Sequence, residues 1–121
     1  MFSCGSNNKQ KQLDTVDKQI MDTHDEVMPR MGEVLRLRKK IQAKLDSCLS
    51  PTCSDTLNQL SYALTKADAD MMKWMRAYKK PEAGDTALTY LNTQLKEIEL
   101  VKTQILEGIT HAKTYLEINE K

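Results

Sequence analysis

The chain has 121 residues, of which 40% are hydrophobic and 29% charged, with only 4 glycines and 3 prolines. This length provides one domain with one core, and the composition argues against a disordered chain. The formal net charge of +1 leaves no basic excess, so we expect no nucleic-acid partner. No apolar run is long enough to cross a bilayer.

The first residues read MFSCGSNNKQKQ, with a small residue before Cys4 and a glycine after it. The stretch Phe2-Ser3-Cys4-Gly5 resembles the end of the lipobox of bacterial lipoproteins. The resemblance implies a lipid on Cys4 and attachment to a membrane through it, although the basic and apolar regions of a signal peptide are missing. Residues 1–9 would then be a lipobox remnant and flexible tether, and residues 10–121 a single helical domain. An ordinary flexible N-terminus is the alternative.

The first predicted helix covers about residues 10–48. Apolar residues recur there every seven positions, at Leu13, Ile20, Val27, Val34, Ile41 and Cys48, which is the spacing of a buried helical stripe. Pro29 lies inside this helix, where it removes one backbone hydrogen bond and presses on the carbonyl of Asp25. Gly32 follows within one turn. The pattern therefore predicts a kink near Pro29.

The segment CLSPTC, residues 48–53, separates the first two helices. Cys48 and Cys53 lie five residues apart across a Ser-Pro turn, a spacing that allows a small disulfide. Such a bond would stabilise the fold by about 2 to 3 kcal/mol and would persist only in an oxidising compartment. Two free thiols are the alternative, whereas the spacing does not suit a zinc site.

The second predicted helix covers about residues 54–80, with Ser54 or Asp55 as its N-cap. Its stripe consists of Leu57, Leu60, Leu64, Ala67, Met71, Trp74 and Tyr78. KKPEAGD ends this helix, and a third stripe predicts a helix over about residues 85–119. Because short connections favour antiparallel neighbours, we expect an all-α, up-down-up antiparallel three-helix bundle with long helices.

The methionines after Met1 all lie in two short stretches, residues 21–31 and 71–75. A hairpin that turns at about residue 51 would bring these stretches together. The pairs expected at the same level are Met31 with Met71, Met28 with Trp74, and His24 with Tyr78. Two interpretations of this layer remain open. In the first, flexible methionine side chains fill the irregular space beside a kinked helix.

In the second interpretation the layer binds a soft monovalent metal ion, because thioether and imidazole ligands together favour Cu(I) or Ag(I). The steps of three and four residues from Met21 through His24 and Met28 to Met31 resemble those of periplasmic copper- and silver-binding proteins. The candidate ligands are His24, Met28, Met31, Met71 and Met75, with Trp74 as an aromatic cover for the ion.

The motifs that enzymes require are missing: the sequence has no paired Glu-x-x-His motifs, no glycine-rich phosphate loop and no nucleophile elbow. We therefore expect no catalysis. The stretches HDEVMPRMGEV and ADADMMKWMRAYKKP resemble small helical lipoproteins of the Bacteroidota, and this resemblance implies export and a helical fold.

Together these features predict a non-catalytic, periplasm-facing lipoprotein of the cell envelope that acts as a binding or structural module and needs no cofactor. The alternative is a periplasmic Cu(I)/Ag(I) carrier that uses the methionine and histidine layer. Either protein could also self-associate, because we expect the first and third helices to overhang the second. The overhang near the C-terminus would present Tyr115, Leu116 and Ile118 to a second copy.

Overall fold

The computed structural model describes residues 2–119, with side chains from residue 8 to residue 118. Its α-helices are α1 (Phe2–Val27), α2 (Met31–Asp46), α3 (Pro51–Ala77) and α4 (Ala87–Asn119), and a 3-10 turn, Met28–Arg30, joins α1 to α2. No β-strand occurs among residues 2–119. The prediction of an all-α chain is confirmed: three helices pack together, the first of them built from α1, the 3-10 turn and α2.

The first helix begins earlier than its apolar pattern predicted, since α1 starts at Phe2 rather than near residue 10. Residues 2–9 carry no periodic apolar stripe, so the sequence contained no signal for this extension. Cys4 falls within the bounds of α1, but its side chain lies outside the described part of the chain. The predicted lipid attachment at Cys4 therefore stays a prediction.

The start of α3 is set by Ser50 and not by the expected Ser54 or Asp55. The Ser50 side chain accepts a hydrogen bond from the backbone N–H of Cys53 at 3.3 Å, and Pro51 occupies the first helical position. Proline is well tolerated there because its missing N–H has no partner in the first turn of a helix. The connection between α2 and α3 is therefore short, residues 47–50.

The core consists of apolar side chains drawn from all four helical segments. They are Leu13, Ile20, Val27, Val34, Leu37, Ile41, Leu57, Leu64, Ala67, Met71, Trp74, Ala87, Leu91, Ile98, Val101, Ile105, Ile109, Ala112 and Leu116. Among the described side chains no polar or charged residue is buried. Full burial of a leucine- or isoleucine-sized side chain contributes about 1.5 to 3 kcal/mol before entropy is considered, so this stripe provides most of the stability.

At its N-terminal side α1 extends past the end of α3 as expected, because Asp17 already lies beside Tyr78, the residue after α3. Leu13 and Leu116 are both only 4% exposed, and Tyr115 packs against the core. The α3–α4 connection reaches back to α1 through Lys80 and Asp14, whose charged atoms are 2.6 Å apart. Leu116 and Tyr115 are therefore covered by the chain itself, whereas Ile118 is 67% exposed, and self-association stays a prediction.

Ion pairs join segments of the described structure that are distant in sequence. The pairs are Lys80–Asp14 at 2.6 Å, Arg38–Asp68 at 3.6 Å, Lys102–Glu26 at 2.8 Å and Lys113–Glu33 at 3.3 Å. Exposed pairs of this kind are worth about 0 to 1 kcal/mol each. They therefore contribute little to stability, but they show which levels of the helices face each other.

Candidate functional site

The α2–α3 corner is closed by a covalent bond between Cys48 and Cys53. The two sulfur atoms are 2.08 Å apart and the Cα atoms 5.9 Å apart. Cys48 follows α2, Cys53 lies in the first turn of α3, and both are half-buried against the core. The bond spans the connection between the two helices and leaves neither sulfur as a free thiol.

Four aromatic side chains form a row, His24, Trp74, Tyr78 and Tyr90, that crosses from α1 over α3 to α4. The ring centroids of His24 and Trp74 are 6.1 Å apart, with the planes at 32°. Trp74 stacks on Tyr78 at 4.9 Å, and Tyr78 stacks on Tyr90 at 6.3 Å. Offset stacking of this kind contributes about 0.5 to 1.5 kcal/mol per pair beyond burial.

The contact between His24 and Trp74 corrects the expected register by one helical turn. A hairpin that turned at residue 51 would have placed His24 beside Tyr78, whereas the structure places it beside Trp74. The α2–α3 connection lies at residues 47–50, earlier than the turn near residue 51 that the expected pairs assumed. The contact of Asp17 with Tyr78 is shifted in the same sense, whereas the Arg38–Asp68 pair, nearer the corner, is not.

His24 is held by its sequence neighbour Asp25. The Nδ1 atom of His24 lies 3.0 Å from Oδ1 of Asp25, and the His24 side chain is 16% exposed. Because a carboxylate only accepts hydrogen bonds, this contact favours the tautomer with the proton on Nδ1. The lone pair of Nε2 is then free to accept a proton, a hydrogen bond or a metal ion.

The structure separates the methionines into a core group and a surface group. Met71 is completely buried, while Met28 and Met31 are half-buried and pack against the core. Exposed methionines are Met21 at 37%, Met72 at 43% and Met75 at 36%. The predicted ligands His24, Met28, Met31, Met71 and Met75 therefore do not all share one environment, since Met71 belongs to the core and Met75 to the surface.

Tyr78 links the aromatic row to α1 through a hydrogen bond. Its hydroxyl group donates a hydrogen bond to Oδ1 of Asp17. Burial raises the pKa of Tyr78 well above its ordinary value, and the bond to the Asp17 carboxylate raises it further. The phenol therefore stays neutral at physiological pH, and we assign it a structural role.

A groove of about 380 Å³ lies between α3 and α4, lined in part by Trp74 and Gln104. The indole Nε1 atom of Trp74 and the Oε1 atom of Gln104 are buried without a hydrogen-bond partner. Among the described residues no three His, Cys, Asp or Glu side chains are grouped so that they could hold a metal ion. Thioether sulfur belongs to a different class of ligand.

Within the described residues, no helix combines the length and the apolar character that a membrane span needs. No protein-family model, curated protein sequence or solved structure matches this chain.

Proposed function

We propose that the chain is a non-catalytic helical module of a bacterial cell envelope. A lipid on Cys4 would hold it at the membrane, facing the periplasm, where it would bind a protein partner or have a structural role. The observation that carries this proposal is the Cys48–Cys53 bond, because disulfides persist in oxidising compartments and are rare in the cytosol. The lipobox-like Phe2-Ser3-Cys4-Gly5 and the resemblance to small Bacteroidota lipoproteins also support export.

Mass spectrometry of the protein from native cells tests this proposal. We expect the protein in the membrane fraction, with an acylated Cys4 as its first residue and with Cys48 and Cys53 protected from alkylation. An intact, unmodified segment around Cys4 in protein from the soluble fraction would contradict the anchor. Rapid alkylation of both other cysteines in freshly lysed cells would contradict the compartment.

The arrangement of the three helices is a further part of this proposal: up, down and up, with a bend in the first helix at Pro29. The first reversal of direction is supported by the contact pairs Asp14–Lys80, Asp17–Tyr78 and His24–Trp74. In these pairs the residue number on the second segment falls as the residue number on the first helix rises, as in antiparallel helices. In Glu26–Lys102 and Glu33–Lys113 the numbers rise together, as in parallel helices. The 3-10 turn Met28–Arg30 supports the bend, since a proline there interrupts the α-helical ladder.

Distances between spin labels test the arrangement. A label pair at residues 19 and 76 should be close, and a pair at residues 19 and 55 far apart. The reverse order would exclude the up-down arrangement. Residual dipolar couplings of α1 and α2 measure the bend directly, and collinear helix axes would exclude it.

A second candidate function is that of a periplasmic Cu(I) or Ag(I) carrier. It is favoured by the contacts of His24, which has Asp25 at its Nδ1 atom and the Trp74 ring 6.1 Å away. A carboxylate that orients a histidine is a common companion of metal ligation, and an aromatic face attracts a cation. Competition of the chain with a Cu(I) chelator tests this function, and the absence of any competition would exclude it.

A further inference from the structure

We propose that a soft metal ion binds at the surface between α1 and α3, and not in the core layer. This inference rests on the second candidate function and specifies its ligands. The set, which we call the seam cluster, consists of Met21 and His24 on α1, Met28 at the start of the 3-10 turn that follows α1, and Met72 and Met75 on α3. It retains three of the ligands predicted from sequence, replaces Met31 and Met71, and adds Met21 and Met72.

The members of the seam cluster on the first helix lie on the side of that helix that faces α3. Asp17 marks this side, because it accepts the hydrogen bond from Tyr78, the residue that follows α3. Met21, His24 and Met28 follow Asp17 in steps of four, three and four residues. Since these steps keep side chains on one helix face, all three project toward the same edge of α3.

The α3 members lie on the side of α3 that faces the first helix. Asp68 marks that side through its pairing with Arg38 of α2 at 3.6 Å. Met72 and Met75 follow Asp68 after steps of four and three residues, and so share its face. The two marked faces therefore look toward each other across one seam.

The contact pairs also place the cluster at one level. His24 lies beside Trp74, and residue numbers on α3 fall as those on the first helix rise. At this register Met72 falls at the level of residue 26 and Met75 at the level of residue 23. Both methionines of α3 therefore lie between the levels of Met21 and Met28, one on either side of the level of His24.

Access and ligand chemistry favour the seam over the core. Met21, Met72 and Met75 are 37%, 43% and 36% exposed, whereas Met71 is 0% exposed. An ion could reach Met71 only if the packed core opened. At the seam, soft thioether sulfur and the Nε2 atom of His24 provide the ligand type that Cu(I) and Ag(I) prefer. Asp25 holds the opposite ring nitrogen at 3.0 Å, which makes the imidazole a better ligand.

Anaerobic Cu(I) titration against bicinchoninate tests the ligand set. The full chain would carry Cys4→Ser, to remove a competing thiol, and ascorbate would serve as reductant, because it leaves the Cys48–Cys53 bond intact. Two double variants of equal size change are compared: Met72→Leu with Met75→Leu at the seam, and Met31→Leu with Met71→Leu in the core. Far-UV circular dichroism checks the fold of both, and the fluorescence of Trp74 provides a second readout.

We expect one equivalent of Cu(I) to bind the parent chain and quench Trp74. The seam variant should lose at least about tenfold in affinity, and the core variant less than about threefold; Asp25→Asn should cost about tenfold. Failure of the parent chain to compete would remove the carrier function itself. Binding that survives in the seam variant and disappears in the core variant would overturn this inference alone. Capture of a protein by the seam without Cu(I) binding would identify the exposed methionines as a docking surface and would also overturn it.

Discussion

Removal of the disulfide is the most direct test of how the α2–α3 corner stabilises the fold. Cys48 and Cys53 are separated by five positions in sequence, so the bond closes a loop of about six residues in the unfolded chain. The chain-entropy relation gives about 2 kcal/mol of stabilisation at 25 °C for a loop of this size. Both side chains also pack against the core, so the replacement must preserve apolar contact.

The double variant Cys48→Ala with Cys53→Ala meets this requirement, and urea unfolding followed by circular dichroism measures its effect. A loss of about 2 kcal/mol, with a slope of about 2 kcal/mol/M, lowers the urea midpoint by about 1 M. Reductant should lower the midpoint of the parent chain by a similar amount. Reductant should leave the urea midpoint of the double variant unchanged. The double variant is therefore the control for effects of reductant elsewhere in the chain.

An unchanged midpoint of the parent chain on full reduction would refute the reasoning. That result would mean that the disulfide does not restrict the unfolded chain. The fold would then gain no stability from an oxidising compartment. A fall in the variant's midpoint on addition of reductant would show that reductant acts elsewhere in the molecule.

Other predictions concern glycines and ionisable groups. Gly32→Ala should raise the free energy of unfolding by about 0.5 to 1 kcal/mol, since its new Cβ meets only the flexible end of Arg36 at 3.5 Å. Gly108→Ala should lower that free energy by about 1 kcal/mol, because its Cβ would lie 3.2 Å from Cδ2 of the buried Leu64. Urea unfolding of both variants measures the difference, and a stabilised Gly108→Ala would contradict the close packing of α3 on α4. Burial and the bond to Asp17 raise the pKa of Tyr78 above its ordinary 10.0. The stability that this group contributes should therefore be complete below that pH and fall above it. Tyr78→Phe should remove this fall, which unfolding at several pH values measures. The hydrogen bond from Arg30, and then that from Lys113, lower the pKa of Glu33 below its ordinary 4.5, so stability should be lost as the pH falls below that value. Glu33→Gln should weaken this acid dependence, and an unchanged acid profile would argue against the bonds.

The sequence by itself determined the helical class, the number of helices and most of the core. Apolar residues at steps of three, four and seven lie on one face of a helix, and that face is buried. The stripe from Leu13 to Ile41 therefore shows which side of the first helix faces the core. Local spacing was sufficient for this helical face. For Cys48 and Cys53, five positions apart, it allowed a disulfide and left two free thiols as the alternative, and the structure contains the disulfide. The lipid on Cys4, the compartment and the metal stay predictions.

Only the tertiary structure decided the register between helices and the exposure of each methionine. The α2–α3 connection lies at residues 47–50 and not at the turn expected near residue 51, and His24 lies beside Trp74 instead of Tyr78. Met71 and Met75 were both candidate ligands, yet Met71 is buried and Met75 is 36% exposed. The side chains near the edge of a stripe are buried or exposed according to the position of the neighbouring helix, and that position depends on packing between distant parts of the chain.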